Sequence, residues 1–244
     1  MVISKSEYMM FLKHPAWLWL KKFDKSKIPI PDEDLQARFD EGSLFEEYAE
    51  KLFPNAVKLG YKNDGEFSGT KYYGLPELTK KELDRGAEAI IQGRVEVENL
   101  TAIFDVLERV NGNTFDLYEI KSSTSAKPEH IPDLAFQTVV LEKAGLSIQN
   151  HYVLHVNNEY VRSGEIKPED ISKKTDVTED VRMAIDETID NSEKAFKILT
   201  LKEMPDISPR YLRQGSLEEW LEIVRMVKGD LPHYSIYNLS RITP

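Results

Sequence analysis

An α/β chain with a mixed central sheet flanked by helices is what three features of the sequence predict. Residues 101–123 read as a β-hairpin, with apolar runs on either side of Asn111-Gly112-Asn113, a turn with a strong preference for positive φ. A helix-like run over residues 131–145 follows, and then a strand-like run over residues 152–157. Helical segments at both ends of the chain complete the pattern.

Taken in order, Ser4 or Ser6 caps a first helix carrying Tyr8, Met9, Phe11, Leu12, Trp17, Leu18 and Leu20, broken near His14-Pro15. Lys5, Lys13, Lys21, Lys22, Lys25 and Lys27 outnumber Glu7 and Asp24 here. That is either a face for nucleic acid or an amphipathic helix with solvated lysines, and His14 reads as structural. After Pro29-Ile30-Pro31, residues 32–52 place Leu35, Phe39, Leu44, Phe45, Tyr48, Ala49 and Leu52 at helical spacing, and Phe53-Pro54 ends the run. Residues 54–80, with Gly60, Gly65, Gly69, Gly74 and Pro76, show no period and read as irregular loop or short hairpins. A helix then opens on the capping box Thr79-Lys80-Lys81-Glu82 and carries Leu83, Ala87, Ala89 and Ile90 to near Gly93. Val95, Val97 and Leu100 start a strand beside the hairpin.

In the hairpin, Ala102, Ile103, Phe104, Val106 and Leu107 supply the first strand, with Asp105 inside it. Phe115, Leu117, Tyr118 and Ile120 supply the second. Residues 122–127 form a polar loop, and the following helix gathers Leu134, Ala135, Thr138, Val139 and Leu141 on one broad face with Gly145 as its C-cap. His151 and His155 stand four apart on a strand-like run, so they make no helical metal pair and read as structural. Beyond Asp176, Val181, Ile185, Ile189 and Ala195 make a helical stripe. Pro205 and Pro209 mark a loop before a last helix, 216–228, which opens on the capping box Ser216-Leu217-Glu218-Glu219.

Composition sets the outer limits. At 244 residues, 41% hydrophobic and 30% charged, the chain is expected to be soluble, one domain over 1–244 with a core at about 32–165, an N-terminal helical segment at 1–31 and a C-terminal helical wrap at about 166–244. No apolar run approaches the ~18 residues that span a bilayer, and the start MVISKSEYMM lacks a signal-peptide core, so a cytoplasmic location and no membrane partner are expected. Cysteine is absent, which excludes disulfides, a thiol nucleophile, and cysteine-held zinc or iron–sulfur clusters. The net charge of −10 argues against a surface basic everywhere; a nucleic-acid ligand would need a local basic strip.

The chemistry concentrates in the hairpin. Side chains alternate along a strand, so Glu119 and Lys121 share one face while Ile120 turns to the other. An acid and an amine thus stand side by side, with Asp105 on the neighbouring strand. Burying such groups without partners costs several kcal/mol, so the group implies a cation, a substrate or mutual pairing.

Asp105, thirteen intervening residues and then Glu119-Ile120-Lys121 resemble the active-site signature of the PD-(D/E)XK nuclease superfamily. The runs YEIKSSTSAKPEHIPDLAFQTVVLEKAGL and HYVLHVNNEYVRSGEI are similar to its RecB-like branch, which includes the CRISPR-associated exonucleases, and the resemblance is best over about 85–165. It implies a restriction-endonuclease-like core and a metal-dependent, exonuclease-like DNA nuclease acting on single-stranded DNA or free ends. By the same resemblance, Asp105, Glu119 and the Ile120 carbonyl hold one or two Mg²⁺ or Mn²⁺ ions, and Lys121 orients or deprotonates the attacking water. Gln137 lies on the helix facing the hairpin, where it fixes Lys121, a water or a phosphate oxygen, or is simply a buried structural amide. Glu46, four residues after Gly42, takes the place of the branch's early histidine and adds an oxygen ligand, or else is a solvated carboxylate. The chain departs from the branch in having no cysteine cluster and in having Leu141 where a tyrosine is usual. Residues 234–241 resemble the junction to a further domain in longer relatives, so the chain reads as a short form or a fragment. A catalytically inactive module for binding nucleic acid or protein on the same scaffold is the alternative.

Overall fold

The computed structural model describes residues 1–29, 42–60, 69–212 and 217–234, which fall into two compact units. One holds the described residues up to 29 together with those from Asp190 onward; the other holds the stretch up to Ile189.

In the first unit, a short strand β1 (Ile3–Ser4) leads into α1 (Lys5–Lys13), which opens on a capping box between Ser4 and Glu7. His14 ends α1 and caps α2 (Pro15–Phe23): its Nδ1 accepts the Ala16 N–H at 3.1 Å, with Pro15 at the first helical position. Its Nε2 therefore carries the proton and donates to the Ser208 carbonyl at 3.0 Å, while the ring stacks on Trp220 at 3.8 Å. Ala16, Trp17, Leu20, Ile207, Trp220 and Ile223 form the apolar core of this unit. Of the six N-terminal lysines, three are engaged locally as follows: Lys13 with Glu219 at 3.5 Å, Lys22 with Glu7 at 2.5 Å and Lys27 with the Met226 carbonyl at 2.9 Å.

The second unit is built on a six-stranded mixed sheet in the order β2-β3-β6-β7-β8-β9, comprising β2 (Val57–Lys58), β3 (Ala89–Ile91), β6 (Val106–Asn111), β7 (Thr114–Lys121), β8 (Ser147–Val156) and β9 (Ser172–Asp176). The β2–β3 and β7–β8 pairs are parallel and the rest antiparallel. Two parallel neighbours need a crossover, and α5 (His130–Lys143) provides it between β7 and β8. Gly145, at φ +89, closes α5 in the left-handed conformation that favours glycine. Helices cover both faces of β7: α3, residues 42–49, buries Phe45 and Ala49 against Tyr118 and Ile120, while α5 lies over Glu119 and Lys121. The expected α/β class, with a mixed sheet flanked by helices, is therefore present.

Three local expectations are corrected. A helix, α4 (Gly69–Asp84), occupies much of what reads as irregular chain, and it passes through Pro76. Proline has no N–H to give the carbonyl four residues back; that carbonyl, of Tyr72, instead accepts from Arg94 Nη1 at 3.0 Å. Thr79 is consequently not a cap but a buried mid-helix residue whose Oγ1 accepts the Arg94 N–H at 2.9 Å. Ala89 and Ile90 belong to β3 and not to a helix, all three residues of that strand being buried in the sheet. The first half of the helix over 32–52, the capping residue Ser216 and nearly all of 234–241 lie outside the described residues.

The third correction bears on the site. The first hairpin strand is two strands, β5 (Leu100–Ile103), paired with β4 (Arg94–Val97), and β6, paired with β3 and β7. One antiparallel ribbon thus bends at a corner made by Gln92-Gly93 and Phe104-Asp105. Across it Gln92 N–H donates to the Asp105 carbonyl at 2.9 Å and Phe104 N–H to that of Gly93 at 3.1 Å. Gln92 sits at φ +53, a left-handed conformation that is uncommon for a residue with a side chain. Gly93 is there because a Cβ at that position would run into the buried Phe104 ring. Among the described residues no helix is long and apolar enough to cross a membrane.

Candidate active site

The corner places Asp105 beside the last residues of β7. Its Oδ2 accepts the Ile120 N–H at 2.7 Å, a ladder position that β6 has vacated by starting only at Val106. In a strand the N–H and C=O of one residue project to the same edge, so the Ile120 carbonyl also faces the Asp105 side. Glu119 and Lys121 share a face as alternation requires, with Lys121 Nζ donating to Glu119 Oε1 at 2.5 Å. Gln137, from the middle of α5, donates through Nε2 to the other Glu119 oxygen at 2.6 Å.

A fifth residue, Asp133, is absent from the reading of the sequence. It lies one turn before Gln137, takes Lys121 Nζ on Oδ2 at 3.0 Å and faces Gln137 Nε2 with Oδ1 at 3.2 Å. Glu119, Lys121, Asp133 and Gln137 thereby close a ring of charge-assisted contacts. Glu119, Asp133 and Gln137 are buried, and Lys121 is half-buried. The signal that could have found Asp133 is its i, i+4 spacing from Gln137, which puts both on one helix face. His130, in the first turn of α5, donates through neither ring nitrogen to this ring; its Nδ1 accepts the Lys127 N–H at 3.2 Å. Burial, and after it the Lys121 ammonium, lowers the His130 pKa, against the pull of Glu129, Glu119 and Asp133.

Glu46 is placed differently. It projects from α3, on the Ile120 face of β7, and its Oε1 accepts from Gln92 Nε2 at 2.7 Å. Gln92 in turn is bonded through its backbone to Asp105, so Glu46 reaches the corner by way of one intervening residue. Asp105, Glu119, Lys121 and Gln137 are brought together; Glu46 adjoins them from the opposite face of the sheet.

Three carboxylates around one ammonium leave this corner negative. The donor set, carboxylate oxygens with one backbone carbonyl, suits a hard divalent cation such as Mg²⁺ or Mn²⁺ in ligand type. A further observation fits a cation or a water there. Gln137 must turn its NH₂ toward two carboxylates, and its Oε1 is then buried without a partner among the described residues. Against this, no group of three or more His, Asp or Glu side chains among the described residues is already drawn into metal-binding geometry, because Lys121 and Gln137 hold Glu119.

No family model matches the chain, and no curated protein does. Among solved structures it is similar to LHK-Exo in complex with dAMP, at 11% identity over 81% of this chain and 89% of that one, with a TM-score of 0.41. It is similar also to a phage-related exonuclease from Haemophilus somnus 129PT, at 12% identity over 82% and 95% with a TM-score of 0.33. A second structure of LHK-Exo, an alkaline exonuclease from Laribacter hongkongensis, matches at 10% identity over 81% and 91% with a TM-score of 0.30. Likenesses this slight fix neither substrate nor mechanism.

Proposed function

We propose that the chain is a metal-dependent DNA nuclease of PD-(D/E)XK type, RecB-like and exonuclease-like, acting on single-stranded DNA or free ends. The observation that carries the reading is the convergence of Glu119, Lys121 and Gln137 beside Asp105 at a bend in the sheet, with a buried Gln137 oxygen left to be satisfied. Asp105, Glu119 and the Ile120 carbonyl would hold the ion, with Glu46 contributing from the Gln92 side. When bound, Mg²⁺ or Mn²⁺ supplies a lowered pKa for the attacking water and neutralises charge growing on the scissile phosphodiester. Lys121 orients or deprotonates that water, which forms the new P–O bond as the ester P–O bond breaks. Gln137 keeps Glu119 turned toward the ion and offers Oε1 as an acceptor to the water.

The test joins Mn²⁺ calorimetry to cleavage of labelled single- and double-stranded DNA. Asp105→Ala or Glu119→Ala is expected to abolish both binding and cleavage while the circular dichroism spectrum stays native. Lys121→Ala is expected to keep Mn²⁺ binding and to lose about 10²–10⁴-fold in single-turnover cleavage, the usual loss for a positioned acid–base group. Wild-type cleavage by either carboxylate variant sinks the assignment. One observation favours the inactive-module reading, namely that Lys121 and Gln137 already satisfy Glu119 without an ion; binding of Mn²⁺ without cleavage would support it.

A further inference from the structure

Asp133 is a buried carboxylate for which the proposed chemistry has no use. It sits in the first turn of α5, where the helix dipole favours an anion. Both of its oxygens are directed, Oδ1 by Gln137 and Oδ2 by Lys121. Lys121 Nζ lies between two carboxylates, 2.5 Å from Glu119 and 3.0 Å from Asp133. A divalent cation and an ammonium cannot both claim one oxygen of Glu119 without repelling each other. Asp133 stands within hydrogen-bond reach on the other side of the ammonium, and Gln137 ties it to Glu119, so the distance between the two acids is set by the fold and not by the lysine.

We propose that Asp133 is a positioning residue that retains Lys121 when Glu119 turns to a divalent cation. It thereby frees Glu119 for the ion and keeps the lysine at the site. The proposal rests on the reading of Asp105 and Glu119 as cation ligands. A purely structural ion pair would also lose stability on mutation, but it would not make cation affinity depend on Asp133 through Lys121.

The experiment is a double-mutant cycle read by Mn²⁺ calorimetry on the full chain: wild type, Asp133→Asn, Lys121→Met and the double variant. Loss of a negative charge weakens Mn²⁺ in either background. With Lys121 present the fall is expected to be about tenfold greater than in the Lys121→Met background, within the range of coupling between residues in one network, because the lysine then clings to Glu119. Equal falls in the two backgrounds overturn the proposal, and so does a wild type that binds no Mn²⁺. Asp133→Glu, which keeps the charge, is expected to hold Mn²⁺ affinity within about threefold of wild type, a comparison that decides the matter if Asp133→Asn does not fold; a loss as deep as that of Glu119→Ala counts against it. Cleavage on the same preparations separates the two readings, since Mn²⁺ binding with intact DNA ends the nuclease reading and leaves the cycle to be read.

Discussion

Thr138 has one hydroxyl proton and gives it to the Leu134 carbonyl at 2.8 Å, so at 2.9 Å it accepts from His151 Nε2–H. That fixes the tautomer and leaves His151 Nδ1 buried without a partner among the described residues. A second proton would have to land there, and burial, helped by the Arg182 charge, lowers the His151 pKa to about 4. The folded state therefore binds fewer protons than the unfolded state between pH 6.5, the ordinary value, and about 4. Stability from this group is complete above 6.5 and lost as pH falls through that window, by about 3 kcal/mol at most. Urea unfolding across pH 7 to 4 is expected to show this fall, and His151→Gln to flatten it; an unchanged slope would remove His151 as the cause. At the same scale, the shared face of Glu119 and Lys121 was legible because alternation along a strand dictates it, with Asp105 on the neighbouring strand, whereas Gln137 was singled out only by the resemblance to the RecB-like branch. Asp133 was not, since an aspartate near a helix start has an ordinary explanation as a dipole-compensating residue. Only the ring contacts distinguish it.

The elements were legible where a period ran long enough. The β6–β7 hairpin and α5 are close to the sequence reading, and β8 starts only a few residues earlier than read. The corner was missed because apolar residues continue on both sides of Asp105, from Ala102 to Phe104 and on through Val106 and Leu107, with Phe104 fully buried at the bend, so the run reads as one strand. The part of α4 before Thr79 was missed because Pro76 and two glycines counted against a helix whose compensation, Arg94 bonding the Tyr72 carbonyl, comes from a later strand. The corner also makes the fold sensitive at Gly93. An added methyl there meets Phe104 Cε2 at 2.9 Å and Ile90 Cγ2 at 3.1 Å. Both residues are fully buried, so Gly93→Ala is expected to cost about 1–3 kcal/mol, the usual range for overpacking, with a matching drop in urea midpoint. An unchanged midpoint would mean the corner yields freely.

For the whole chain, a net charge of −10 opposes a polyanion at long range. Lys13, Lys22 and Lys27, part of the basic face expected near the N-terminus, are engaged by neighbours of their own unit. On the proposed nuclease reading, DNA affinity is therefore expected to rest on the corner at Asp105 and Glu119 more than on a phosphate-tracking strip. Anisotropy with the Lys121→Ala variant at fixed Mg²⁺ is expected to change less than about tenfold from 50 to 200 mM salt, against the 10³–10⁵ lost by proteins with 6–10 phosphate contacts. A steep loss would point to a basic strip elsewhere in the chain.

Asp105, Ile120 and the ring that Asp133 and Gln137 complete all come from about 30 consecutive residues, one bend, one hairpin and one crossover helix. Their mutual contacts close short loops, and short loops carry little entropic cost and form early. The candidate site is for that reason able to assemble ahead of the longer-range pairings, such as β2 with β3, and during synthesis its residues can leave the ribosome and meet one another long before the C-terminal helices exist.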